Sequence, residues 1–204
     1  MQPFSHPAPD RLATWSCLRD PYQDPAGESV PNQMIAINTF KPTHVYTIYI
    51  ASTAEEVWQA LTSAEFSRKY FFGNAVEVDL RIGGDYVVRT PDGAPHISGE
   101  VIECDPPGKL TVTFNVNWPG LIEKLGPTLV TYEIEPAGEA VRLTLIESHD
   151  REIAEDILSG GRAGWPAILS SLKSLLETGA PLTIRMEPPR RMLTALKAMG
   201  IAVP

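Results

Sequence analysis

Two cysteines and four histidines among 204 residues leave little material for metal or disulfide chemistry. Cys17 and Cys104 stand far apart with no CxxC spacing, so neither a structural zinc site nor a disulfide framework is indicated. His6, His44 and His96 fall in an arm, a strand start and a turn, without the helical or hairpin spacing of metal ligands, and no metal is expected. Basic residues are also scarce. Seventeen Lys and Arg against 25 Asp and Glu give a net charge of −8, which argues against a phosphate-backbone partner. No run approaches the roughly 18 apolar residues of a membrane span, and residues 1–15 lack the apolar core of a signal peptide. The expectation is a cytoplasmic protein with no nucleic-acid partner and no membrane span. Gly83-Gly84 and Gly160-Gly161 lack the strand–loop–helix context of a nucleotide loop, and no Ser or Cys sits in a nucleophile elbow. No cofactor is expected, and a binding protein is favoured over an enzyme.

What the sequence does have is one long amphipathic stretch, residues 151–178. Trp165, Ile168, Leu169, Leu172, Leu175 and Leu176 recur at the spacing of a single helical stripe. Pro166 suits a first helical turn, and Gly179 followed by Pro181 is a stop signal. Gly160, Gly161 and Gly164 either break the helix or let another group come close to it.

Residues 1–42 carry seven prolines and little periodicity, so they read as a Pro-rich arm. The main domain is expected over 43–180 and a tail with a short helix over 181–204. Residues 44–50 (HVYTIYI) are β-branched and aromatic, a first strand. Ser52 or Thr53 then caps a helix whose first turn holds Glu55 and Glu56. Beyond it, strand-like runs alternate with turn signals too short for crossover helices, which predicts an antiparallel meander. Leu110, Val112, Phe114 and Val116 share one face, and Val141, Leu143 and Leu145 share another, with Thr111, Thr113 and Thr144 pointing away. A one-faced helix and a one-faced sheet bury each other, so the fold class is α+β: a curved antiparallel sheet of about six to seven strands wrapped on the long C-terminal helix. A curved sheet cannot touch one straight helix along its whole length, so space remains between them for side chains or a ligand. The terminal segment carries Met192, Leu193, Leu196 and Met199 at helical spacing, a helix that docks on the domain or on a second copy of the chain.

AEEVWQALT, RIGGDY followed by PDG, GEVIECDPPGKLTVTF, VTYEIEPAGEAVRLTL, and GW followed by spaced leucines ending in LE occur in that order. In this the chain resembles bacterial proteins similar to the activator of the heat-shock chaperone ATPase, within the START-like (SRPBCC) superfamily, from about Val45 to Gly179. The resemblance implies a helix-grip fold with a cavity under the long helix. It leaves activity open, because members bind lipids, sterols or polyketides, assist chaperones, or catalyse reactions in the cavity. Two departures stand out: Tyr70-Phe71-Phe72 replaces a common Trp-Phe, and Glu147, with His149 two residues on, stands where a His is common at the end of the last strand.

Tyr70, Phe72, Tyr86, Phe114, Trp118, Tyr132, Leu145, Trp165, Leu169 and Leu172 are the candidate ligand-lining residues, since flat apolar walls with a few polar tips suit a hydrophobic ligand. Glu147 and His149 continue the parity of Leu143 and Leu145 and are the only candidates for acid–base catalysis. Because glutamate is rarely buried without a partner, both are expected at a solvated strand end. The first expectation is therefore binding of a hydrophobic or amphipathic small molecule, such as a lipid, sterol or polyketide-like compound. The alternatives are an interaction module resembling the chaperone activator and a cavity-based cyclase or hydrolase. A chaperone and a second copy of the chain are the candidate macromolecular partners.

Overall fold

The computed structural model describes residues 37–203. The Pro-rich arm falls largely outside them, as do Cys17 and His6. A short 3₁₀ turn (Ile37–Thr39) leads into β1 (Lys41–Ile50), three residues earlier than the apolar run indicates. Alternation sets its two faces: His44, Tyr46, Ile48 and Ile50 turn inward while Val45, Thr47 and Tyr49 are exposed.

Thr53 rather than Ser52 caps α1 (Ala54–Thr62), and Glu56 returns the contact to complete a capping box. Val57, Trp58, Ala60 and Leu61 form its buried face. The single helix expected here breaks at Ser63, and α2 (Ala64–Tyr70) follows with Ser67 and Tyr70 buried. A meander comes next: β2 (Ala75–Val78), β3 (Asp85–Arg89), β4 (Pro95–Asp105), β5 (Lys109–Thr113) and β6 (Asn115–Val116). After α3 (Leu121–Leu125), the hairpin β7 (Thr128–Ala137) and β8 (Ala140–His149) closes the sheet.

Eight antiparallel strands form one sheet in the order β1-β8-β7-β5-β4-β3-β2, with β6 paired to β4. The expected strand through Val116 is interrupted at Phe114. Thr111 and Thr113, expected to face solvent, are buried instead: Thr111 donates to Glu103 at 2.8 Å, and Thr113 accepts from the backbone N–H of Glu100 at 2.7 Å.

The long helix, α4 (Glu155–Thr178), runs 24 residues without a break. Pro166 lies in its middle, not in a first turn, and the helix tolerates the lost backbone donor because the flanking stripe is anchored. Trp165, Ile168, Leu169, Leu172 and Leu175 pack on Leu110, Val112, Leu143 and Leu145 in one core. Each such leucine contributes about 1.5–3 kcal/mol by leaving water. Gly179 ends the helix at φ +79°, a conformation glycine adopts without strain. Finally α5 (Arg190–Ala198) docks on the same domain, against α4, with Leu196 and Ile201 buried. Cys104 is disulfide-bonded, a correction to the expectation that no disulfide framework is indicated.

Candidate functional site

The space between α4 and the sheet is almost entirely filled. A cavity of about 10 Å³ remains there, room for no more than a single water. Seven of the ten candidate residues line it: Tyr70, Tyr86, Tyr132, Leu145, Trp165, Leu169 and Leu172. Phe114 joins them as a second layer, its ring 5.2 Å from that of Trp165 and 6.2 Å from that of Tyr86. The other two lie elsewhere. Phe72 is 39% exposed, at φ 54° in the turn after α2, while its neighbour Phe71 takes the inward position. Trp118 borders an open surface groove of about 810 Å³ between β4 and α3. Burial pushes the phenols of Tyr70, Tyr86 and Tyr132 far above the usual range, so all three stay protonated. Tyr70 donates to the carbonyl of Ala60 at 3.1 Å.

One turn of α4 before this apolar interior, the chemistry changes. Glu147 and His149 are not at a solvated rim: they are 7% and 8% exposed on β8, on the inward parity of Leu143 and Leu145. The partner that allows a glutamate there is the indole N–H of Trp165, which donates to Glu147 Oε2. A third group is His44 of β1, 8% exposed and paired in register with Glu147; its Nδ1 lies 3.6 Å from Glu147 Oε1.

The hydrogen bonds fix what each histidine can do. Thr43 Oγ1 donates to the backbone carbonyl of Glu147 at 3.0 Å, so its 3.1 Å contact with His149 Nδ1 must be donated by the histidine. Thr128 Oγ1 then donates to the bare Nε2 of His149 at 3.2 Å. Both nitrogens of His149 are engaged, and burial first, then the charge tendency of His44, hold its pKa below the ordinary value against the pull of Glu147 and Asp150. His149 is therefore a neutral buttress of this corner, with no lone pair free to take a substrate proton.

His44 is the opposite case. Neither of its nitrogens has a hydrogen-bond partner among the described residues, and the buried hydroxyl of Tyr46, two residues along β1, has none either. Only Trp58 Nε1 shares that status among the described residues. Buried polar atoms without partners are rare and costly, so three in one corner mark it as unlike the rest of the core. Burial first and the Glu147 carboxylate second raise the Tyr46 pKa, with Arg162 opposing.

Sequence spacing hid His44 because its neighbours lie across the β1–β8 ladder, more than a hundred residues away. The inward parity of His44, Tyr46, Ile48 and Ile50 is the signal that could have found it. No group of three His, Cys, Asp or Glu among the described residues is arranged to hold a metal ion. No described helix is long and apolar enough to cross a membrane.

The glycines of α4 take the close-approach role left open by the sequence. A methyl group at Gly161 would collide with the Glu147 carboxylate, and one at Gly160 with the Met192 sulfur of α5. Gly164 meets nothing within 4 Å.

Comparison with known proteins places these features in context. The family described as "Activator of Hsp90 ATPase homolog 1-like protein" matches residues 51–177. No curated protein matches the chain. Among solved structures, CalU16 from Micromonospora echinospora is 21% identical with a TM-score of 0.55, over 76% of this chain and 81% of that one. The Aha1 dimer from Colwellia psychrerythraea is 20% identical, TM-score 0.55, over 66% of this chain and 96% of that one. DynU16, from the dynemicin biosynthetic locus, is 22% identical, TM-score 0.56, over 67% of this chain and 48% of that one. At these identities the structures share the fold. The terminal helix α5 lies beyond the family match.

Proposed function

The chain belongs to the Activator of Hsp90 ATPase homolog 1-like family, and from that premise we propose that it binds an amphipathic small molecule between α4 and the sheet. The observation that carries this reading is the cluster of partnerless buried atoms on His44 and Tyr46 beside Glu147. A protein that used this interior only as a core gains nothing from leaving polar groups unpaired there. Trp165 belongs to both parts: its ring lines the apolar interior and its N–H holds the carboxylate. The apolar part of a ligand would lie against Tyr86, Tyr132, Leu169 and Leu172, and the polar part at the β1–β8 corner. With about 10 Å³ free, binding requires α4 or Trp165 to move outward. The test is a thermal-shift screen of lipids, sterols and aromatic polyketides, paired with titration of Trp fluorescence. A rise in melting temperature together with a change in Trp emission is expected; no response to any compound would reject the reading.

The filled interior favours a second reading, an interaction module that acts through its surface and resembles the chaperone activator in that role. Capture by an Hsp90-type chaperone together with a raised ATPase rate is its expected signature, and an unchanged rate removes it. The cyclase or hydrolase alternative loses support, because its Glu147–His149 acid–base pair has no free nitrogen on the histidine.

A further inference from the structure

We infer that the polar end of the ligand is a hydroxyl group and that the site discriminates against carboxylates. This rests on the small-molecule reading above and specifies its chemistry. The open valences at the β1–β8 corner define what fits. An imidazole with one N–H keeps its other nitrogen as an acceptor; both nitrogens of His44 are buried without a hydrogen-bond partner, Nδ1 standing 3.6 Å from Glu147 Oε1. Tyr46 carries a buried hydroxyl without a partner, and its raised pKa keeps the proton on the oxygen. The two rings sit side by side on the inward face of β1, their centres 5.9 Å apart. An alcohol can donate to His44 and accept from Tyr46 at once. An ammonium can only donate, and a hydrocarbon leaves both atoms unpaired.

A carboxylate fails on charge. The titratable groups around the corner include Glu147 and His149 on β8 with Asp150 just beyond it, His44 and Tyr46 on β1, and Arg162 on α4. Arg162 is tied to Glu155 at 2.8 Å, and His149 is held neutral between two threonines. A bound carboxylate adds a second acidic group beside Glu147, in a corner that already buries one. A hydroxyl adds none.

Three probes of one shape separate the possibilities: naphthylmethanol, naphthoate and methylnaphthalene, each titrated into the full-length protein and followed by Trp fluorescence and calorimetry. Naphthylmethanol is expected to bind at least about tenfold more tightly than either of the others. Tyr46→Phe should reduce its affinity to that of methylnaphthalene while leaving methylnaphthalene unchanged. Glu147→Gln, which keeps an acceptor for Trp165, should raise the affinity for naphthoate toward that for the alcohol. If naphthoate or methylnaphthalene binds wild-type protein as tightly as the alcohol, the hydroxyl assignment is overturned while the interior site stands. If none of the three binds while a compound of the lipid, sterol and polyketide screen does, the hydroxyl assignment falls and the interior site stands; if nothing binds in either, both fall.

Discussion

The two halves of α4 press on the same sheet by opposite means. From Trp165 to Leu175 the contact is apolar, with Leu169 and Leu172 fully enclosed and only about 10 Å³ left over. From Leu158 to Gly164 three of the seven residues are glycine, and the Glu147 carboxylate comes against Gly161 and the Met192 sulfur against Gly160. The first half holds the fold together, since every atom there is worth more in place than in water. The second half comes close to buried polar groups of the sheet, Glu147 above all. Apolar packing and the buried polar groups thus meet neighbouring stretches of one helix.

That partition can be broken most directly at Leu172. Leu172→Ala should cost about 3 kcal/mol in urea unfolding, within the range of buried leucine deletions; a cost under about 1 kcal/mol would mean that the apolar half is not the anchor. A sharper cut uses the glycines. Gly161→Ala forces the Glu147 carboxylate off the Trp165 N–H, so despite the gain of about 1 kcal/mol that alanine brings to a helix, the variant should lose about 1 kcal/mol net, because hydrogen bonds to charged groups are worth more than that. Gly164→Ala, with open space around it, should instead gain about 0.5–1 kcal/mol. Equal effects at the two positions would erase the distinction.

Acid titration probes the polar half alone. The pKa of His149 is lower in the folded protein than in the unfolded chain, so the unfolded state takes up its proton first. The stability His149 contributes is present above the unfolded value, near pH 6.5, and is lost as pH falls through the depressed folded value. Wild type and His149→Gln should therefore diverge in melting temperature above about pH 6.5 and converge on acidification; parallel curves would show that His149 is not held neutral. The smallest effect is expected at Trp118→Ala, which should leave the affinity for naphthylmethanol unchanged, because that ring borders the outer groove.

How much of this could be read from the sequence depends on how far apart the partners lie. The stripe from Trp165 to Leu176 is local and periodic, and the structure gives it the helix and the burial that the spacing requires. The parity of Glu147 and His149 was legible for the same reason. Their burial was not, because the general reluctance of glutamate to be buried takes no account of an indole N–H supplied from α4 or of a histidine supplied from β1. Phe72 and Trp118 were grouped with the interior by residue type. Their positions are set by a left-handed turn after α2 and by a loop into α3, neither of which has a period to read. Pro166 looked like a helix start because local preference says nothing about a helix that continues for eleven residues before it.

At Gly160 and Gly161 the roof over the polar corner is one backbone thick. Met192 rests on its outer surface and Glu147 on its inner one, with no side chain of α4 in between. The Glu147 carboxylate and the Met192 side chain of α5 are thus separated by little more than the α4 backbone. A spectroscopic label placed on α5 would accordingly sit one backbone away from the buried carboxylate, a vantage on the interior from outside it.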